Sequence, residues 1–209
     1  MTSPNLPIGG FSWSQGLEGA VSLGLVADQE SLCQWLETVL SKSLVYNELA
    51  TMSHAYQASS RQDAETLAHL DHLLMATKET KELRDESLQM GKALQKMLRE
   101  THPEIWLSLE TYSYEVLFAE FVQQQSVPID VALAAFVWSW LENQVMAATR
   151  LISIGQVATQ KILVQFQQTI PSLVTQSQTI GEDDIGFSLP SLFFSSACHE
   201  SQYSRLFRS

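Results

Sequence analysis

A single-domain all-α bundle of about six or seven helices, ending in a flexible C-terminal tail, is the architecture this residue pattern predicts. Three observations carry that expectation. Apolar side chains recur three and four positions apart from Asp28 to Pro171. No run of alternating β-branched residues bounded by hairpin signals occurs. The longest apolar stretch, VALAAFVWSWL at 131–141, is about half of the roughly 20 residues that a bilayer crossing needs, and Glu142 closes it, so it reads as a buried core helix. A chain of 209 residues with 45% hydrophobic content is long enough for one sizeable core.

Taken in order, Pro7 and Gly9-Gly10 form a turn, Ser12 or Ser14 caps a helix starting near Gln15, and Glu18 supports its first turn. Asp28 caps the next helix, on which Leu32, Trp35, Leu36, Val39 and Leu40 share a face. ASSRQD at 58–63 is a turn, after which Leu67, Leu70, Leu73 and Leu74 resume the helical period. Residues 76–100 place Leu83, Met90, Leu94 and Met97 on one face, with Lys78/Glu82 and Lys81/Asp85 four apart. Gly91 costs that helix about 1 kcal/mol against alanine, a cost usually tolerated where another backbone packs closely. His102-Pro103 breaks the pattern, 104–124 is helical again, and SVPID at 126–130 turns the chain, with Asp130 capping the apolar helix. That helix runs to about Leu151 as the centre of the bundle, Gly155 makes a corner, and 157–169 forms a last helix before Pro171. Residues 1–175 are thus one domain, 176–198 an acidic linker containing Gly and Pro, and 199–209 a tail.

Twelve basic against twenty-three acidic residues give a net charge of -11, a field that repels nucleic acid. The two cysteines, Cys33 and Cys198, have neither disulfide-framework nor zinc-site spacing, which fits a reducing cytoplasm. The first twenty residues hold no basic cluster followed by an apolar run, so no secretory signal is visible and no membrane partner is implied.

Enzyme motifs are missing where the glycines invite them. SPNLPIGGFSWSQGLEGAV at 3–21 lacks the lysine of a phosphate loop, the spacing of a dinucleotide fingerprint, and the second glycine of a nucleophile elbow. His69 and His72 share a helix face without a third ligand, and Cys198 and His199 are neighbours that cannot easily reach one ion together. Glu142, Asn143, Gln144 and Arg150 are either the solvated end of the apolar helix or a polar rim facing another protein.

The tail, HESQYSRLFRS, carries Tyr203, Leu206 and Phe207, whose full burial is worth about 5 to 9 kcal/mol. Fixing its last seven residues costs about 7 to 14 kcal/mol of backbone entropy. That balance predicts a segment that orders on a partner.

SPNLPIGGFSWSQGLE, ETKELRDESLQMG at 79–91, WSWLENQVMAATRLISIGQ at 138–156 and HESQYSRLFRS together closely resemble the urease accessory protein F family, UreF, over essentially the full length. The resemblance implies a non-catalytic, cofactor-free cytoplasmic protein that assists nickel-centre assembly in apo-urease. It implies a homodimer that binds UreD (UreH in some systems) and then recruits or regulates the GTPase UreG. Carried over by motif, Arg150 resembles the basic residue proposed to influence the GTPase, flanked by Gln144 and Gln156. Tyr203, Arg205, Leu206 and Phe207 would contact UreD, on a tail that becomes ordered there. Ser12, Glu18 and Arg84 lie in the other blocks without separate roles. The alternative is a direct nickel carrier using His69, His72, or Cys198 with His199. Three departures stand out: Met1 lies two residues before Ser3 where the family has an apolar helical turn, Trp13 replaces a usual tyrosine, and Ser153 replaces a common proline.

Overall fold

The structure, a computed structural model, describes residues 8–208. Pro7 of the expected turn, the residues before Ser3, and Ser209 at the end of the tail lie outside them. Among the described residues the fold is all-helical, with nine helices and no strand, and none of the helices is long and apolar enough to cross a membrane.

A short 3₁₀ turn, Gly10–Ser12, precedes α1 (Leu17–Ser22). Ser14 serves α1, its Oγ accepting the Glu18 N–H at 3.2 Å, whereas Ser12 Oγ turns back to the Gly9 carbonyl. The next rod, α2, is continuous over 29–60: an α-helix Gln29–Val39, a π-helical stretch Leu40–Leu49, and a second α-helical stretch Ala50–Ser60. Asp28 caps it as expected, in a reciprocal capping box with Ser31. Asn47, on the π stretch, clamps a distant loop by donating to the Phe187 carbonyl and accepting the Gly186 N–H.

The helices α3 (Ala64–Thr77) and α4 (Lys81–Thr101) follow, capped by Asp63 and Thr80. Gly91 does mark a close approach: a Cβ there would sit 2.3 Å from the Tyr112 carbonyl oxygen. Lys81 pairs with Asp85 at 2.6 Å, but Lys78 turns inward to Glu48 and Glu115 instead of meeting Glu82.

Residues 104–113 are not helical, contrary to the sequence reading, and α5 covers only Tyr114–Gln124. Buried acids hold that loop. Glu120 accepts from Tyr112 Oη at 2.5 Å and from the Ser108 N–H and hydroxyl, while Asp71 accepts the Ser113 N–H at 2.7 Å. With Tyr114 through Val122 all buried, α5 rather than the long apolar helix is the innermost one. The latter, α6 (Ile129–Leu151), starts at Pro128 without an Asp130 cap and leaves Val131 and Met146 half exposed.

Two further helices explain the low count from sequence. Beyond α7 (Gln156–Gln167) come α8 (Ile170–Ser177) and α9 (Pro190–Glu200), each with proline in its first two positions. There the missing N–H has no intrahelical partner to lose, so Pro171 and Pro190 begin helices instead of ending them. Residues 176–198 therefore hold the end of α8, a 3₁₀ turn at Glu182–Asp184, and most of α9. Helix α9 lies directly on α1, where a Cβ on Gly19 would meet the Ser195 carbonyl oxygen at 2.0 Å.

The expected flexible tail is corrected by the same contact. Residues 199–208 fold back on the chain's own N-terminal segment, with His199 and Phe207 buried. The entropy balance failed because it counted apolar burial alone and omitted the charge-assisted bonds that carry the tail.

Candidate functional site

The site forms where α1, the start of α4, the end of α6 and the tail converge. Its hub is Glu18, placed in the first turn of α1 and only 7% exposed. One carboxylate oxygen accepts the Leu206 N–H at 2.8 Å; the other accepts the Phe207 N–H at 2.9 Å and faces His199 Nε2 at 3.1 Å. Such a carboxylate supplies acceptors that a strand partner would otherwise supply, and so fixes an irregular backbone without a sheet.

The second acid is Glu82, in the first turn of α4. Its oxygens face His199 Nδ1 and Arg205 Nη1, each at 2.7 Å. Further along, the Arg208 N–H donates to the Ser12 carbonyl at 2.9 Å, and its guanidinium lies 5.6 Å from the buried Trp13 ring. Arg150, in the last turn of α6, covers Phe207 with its guanidinium 5.9 Å from the ring centroid.

Seven of the ten residues singled out from sequence thus meet here: Ser12, Glu18, Gln144, Arg150, Arg205, Leu206 and Phe207. Gln144 is fully buried and structural, its amide donating to the Ser14 carbonyl at 3.0 Å, with Asn143 beside it bonded to the Gly10 and Trp13 carbonyls. Tyr203 belongs to the tail but is fully exposed, and Leu206 is 69% exposed. Arg84 and Gln156 stand apart: the exposed Arg84 caps the turn before α4 through the Lys78 carbonyl, and Gln156 opens α7 in solvent.

Sequence reasoning missed Arg208, paired Glu82 with Lys78, noted Trp13 only as a departure, read Asn143 as a polar rim or a solvated helix end, and took His199 for a doubtful metal candidate. A cue was present in the first turns of α1 and α4, where Glu18 and Glu82 sit. Nothing local links them to a histidine 181 and 117 positions away. Among the described residues no group of three or more His, Cys, Asp or Glu side chains is arranged to hold a metal ion. His69 pairs with Glu182 at 3.1 Å, His72 and Cys198 are exposed, and both ring nitrogens of His199 are occupied.

Beneath the opening turn lies a cavity of about 100 Å³, whose mixed lining includes Gln15, Glu48, Lys78, Glu86, Glu115 and Trp140. Burial works against the Lys78 charge, yet Glu115 and Glu48 outweigh it and hold the ammonium well above the usual lysine range. Burial pushes the Glu86 carboxyl up to about 8, against the opposing influence of Gln15 and Lys78. Gln15 bridges the cavity wall, donating to Glu86 at 2.7 Å and accepting from Trp140 Nε1. The glycine-rich opening is thereby tied into the core.

A family model described as UreF matches residues 26–167. The chain is 39% identical over 211 residues to the urease accessory protein UreF of Chromohalobacter salexigens, covering 100% of this chain and 92% of the relative. It is 40% identical over 211 residues to that of Marinobacter nauticus, covering 100% and 91%. It is 37% identical over 213 residues to that of Nostoc sp., covering 100% and 93%.

Proposed function

This chain belongs to the UreF family, and from that membership we propose that it is a non-catalytic scaffold of urease maturation in the cytoplasm. It binds UreD (UreH) through residues 199–209, works as a homodimer, and recruits or regulates UreG so that nickel reaches apo-urease. One observation supports this reading above the rest. The tail is anchored by the buried Phe207 and by Arg205 on Glu82, while Tyr203 is fully exposed and Leu206 mostly so. Aromatic and aliphatic side chains held out on a rigid base are what a partner's pocket needs, since the ordering entropy is already spent.

Arg150 extends the surface to α6. Its guanidinium touches Phe207 while remaining exposed, so a charge presented to UreG sits beside the residues presented to UreD. Arg150→Ala is expected to weaken UreG recruitment roughly tenfold while leaving UreD binding within about threefold. Co-purification of the full-length variant with both partners, read alongside urease activation, checks this. Unchanged recruitment and activation would remove Arg150 from the account. Co-purification of the wild-type chain with neither partner would remove the scaffold reading itself.

A further inference from the structure

The chain holds twelve basic residues against twenty-three acidic ones, and five of the twelve lie exposed on α4. Lys81, Arg84, Lys92, Lys96 and Arg99, with the half-buried Leu88 between Arg84 and Lys92, follow one another at spacings of three or four residues. That period sets them on a single face of the helix. Glu82 and Glu86 of the same helix are buried, so α4 sorts its charge with acids inward and cations outward. Arg208 brings a further cation to the flank of the stripe, its Nη1 donating to Gln89 Oε1 at 2.9 Å.

A solvated helix face ordinarily mixes both signs, because opposite charges four apart stabilise the helix and like charges cost it. Lys92 and Lys96 are a like pair at that spacing. Among the described residues no ion pair reaches Arg84, Lys92, Lys96 or Arg99. The helix dipole favours Arg99 in the last turn and disfavours Lys81 and Arg84 near the first. Lys81 is offset by Asp85 at 2.6 Å, and Arg84 by the Lys78 carbonyl. Lys92 and Lys96 have neither remedy, so the fold concentrates positive charge here without using it internally.

The surroundings decide which anion fits. From Lys81 to Arg99 the stripe is about 27 Å long. Acids stand at both ends: Glu200, which takes the Glu82 N–H at 3.2 Å, and the exposed Glu100 and Glu104 beyond Arg99. A nucleic-acid duplex would run past both ends onto a chain whose net charge is -11. An anionic bilayer is wider still, and Leu88 alone on this face gives it little apolar surface to take in. A second copy of the chain carries the same net negative charge and is repelled as a whole. A short acidic stretch of another protein meets none of these obstacles.

We propose that the outer face of α4 is a docking surface for a short acidic segment of a partner protein, held by Arg84, Lys92, Lys96 and Arg99 around Leu88. The acidic remainder of the chain turns such a partner toward this face, so the stripe sets the rate and orientation of encounter as well as affinity. The surface does not depend on which protein meets Tyr203 and Leu206.

Titration of the ¹⁵N-labelled full-length protein at low ionic strength tests it. The probe is a synthetic helical peptide of Glu, Ala and Leu, about 18 residues long to match the stripe. Its counterpart with Gln for Glu, a DNA duplex and vesicles of anionic lipid form the other arms. The Glu peptide should give saturable shifts centred on α4, with a Kd that rises with salt. Lys92→Glu/Lys96→Glu should raise that Kd by about tenfold or more. Both side chains are exposed, and Lys92→Gln/Lys96→Gln should shift the Kd in the same direction if the charge reversal disturbs the helix. Equal binding of the Gln peptide, shifts that do not saturate, or an unchanged Kd in the folded variants would overturn the proposal. So would tighter binding of duplex or vesicles, or a change of oligomeric state on charge reversal, which would assign the face to a second copy.

Discussion

At Glu86 the fold keeps a carboxyl group out of water beside the buried Lys78, Glu115 and Glu48 cluster, and burial raises its proton affinity to a value of about 8. In the unfolded chain the same group ionises at its ordinary value, near 4.5. Because the folded value is the higher one, the stability associated with this group is fully present below about pH 4.5 and is lost as pH rises through about 8. Glu86→Gln keeps an acceptor for the Gln15 amide and removes the titration. The variant is expected to gain roughly 2 to 4 kcal/mol at pH 8 relative to pH 4.5, when each is compared with wild type. Urea denaturation at the two pH values measures it. Residue-scale chemistry of this kind was the least legible part of the sequence. Glu86, Glu115 and Glu120 lie on helices where an acid ordinarily marks the solvated face, and only the fold reveals that each is buried.

Among the elements, α1 and α9 meet closely, and glycine is the reason they can. Gly19 admits the Ser195 carbonyl to a distance no Cβ tolerates. Gly19→Ala must therefore push α9 outward, withdrawing His199 from Glu18 and loosening the tail. We expect a loss of about 3 kcal/mol or more, with amide protection falling first in residues 190–208. Denaturant titration and site-resolved exchange together check both the size and the place of the effect. Element boundaries were legible where a local chemical signal sets them: the Asp28 cap, the corner at Gly155, and the break within 58–63, although the helix runs on to Ser60 before it. Gly91 likewise announced a close approach that the Tyr112 carbonyl makes. They were illegible where partners come from afar. The 104–113 loop stays open because Glu120 and Asp71 satisfy its backbone and side chains, and Pro171 and Pro190 proved to be helix starts. Docking of the tail needed Glu18, 188 positions from Leu206, and no helical period encodes that.

Over the whole molecule, a chain of net charge -11 gathers Arg150, Arg205 and Arg208 where the tail meets the N-terminal segment, beside the His199 ring. Arg205 and His199 are used internally on the acids, Arg150 and Arg208 lie over aromatic rings, and Tyr203 and Leu206 are left facing outward. The family and the four sequence blocks were legible from the start, since they depend on residue order rather than on contacts. Membership in the UreF family supplies the setting of the proposed function, and the proposal assigns the docked tail as the surface that a partner meets. Titration of the full-length protein with its UreD homologue, comparing wild type with Tyr203→Ala/Leu206→Ala, tests that claim most directly. Both side chains are exposed, so the double variant is expected to keep wild-type amide protection at Phe207 while its Kd rises by roughly 30-fold or more. An equal Kd with the tail still docked would contradict the account.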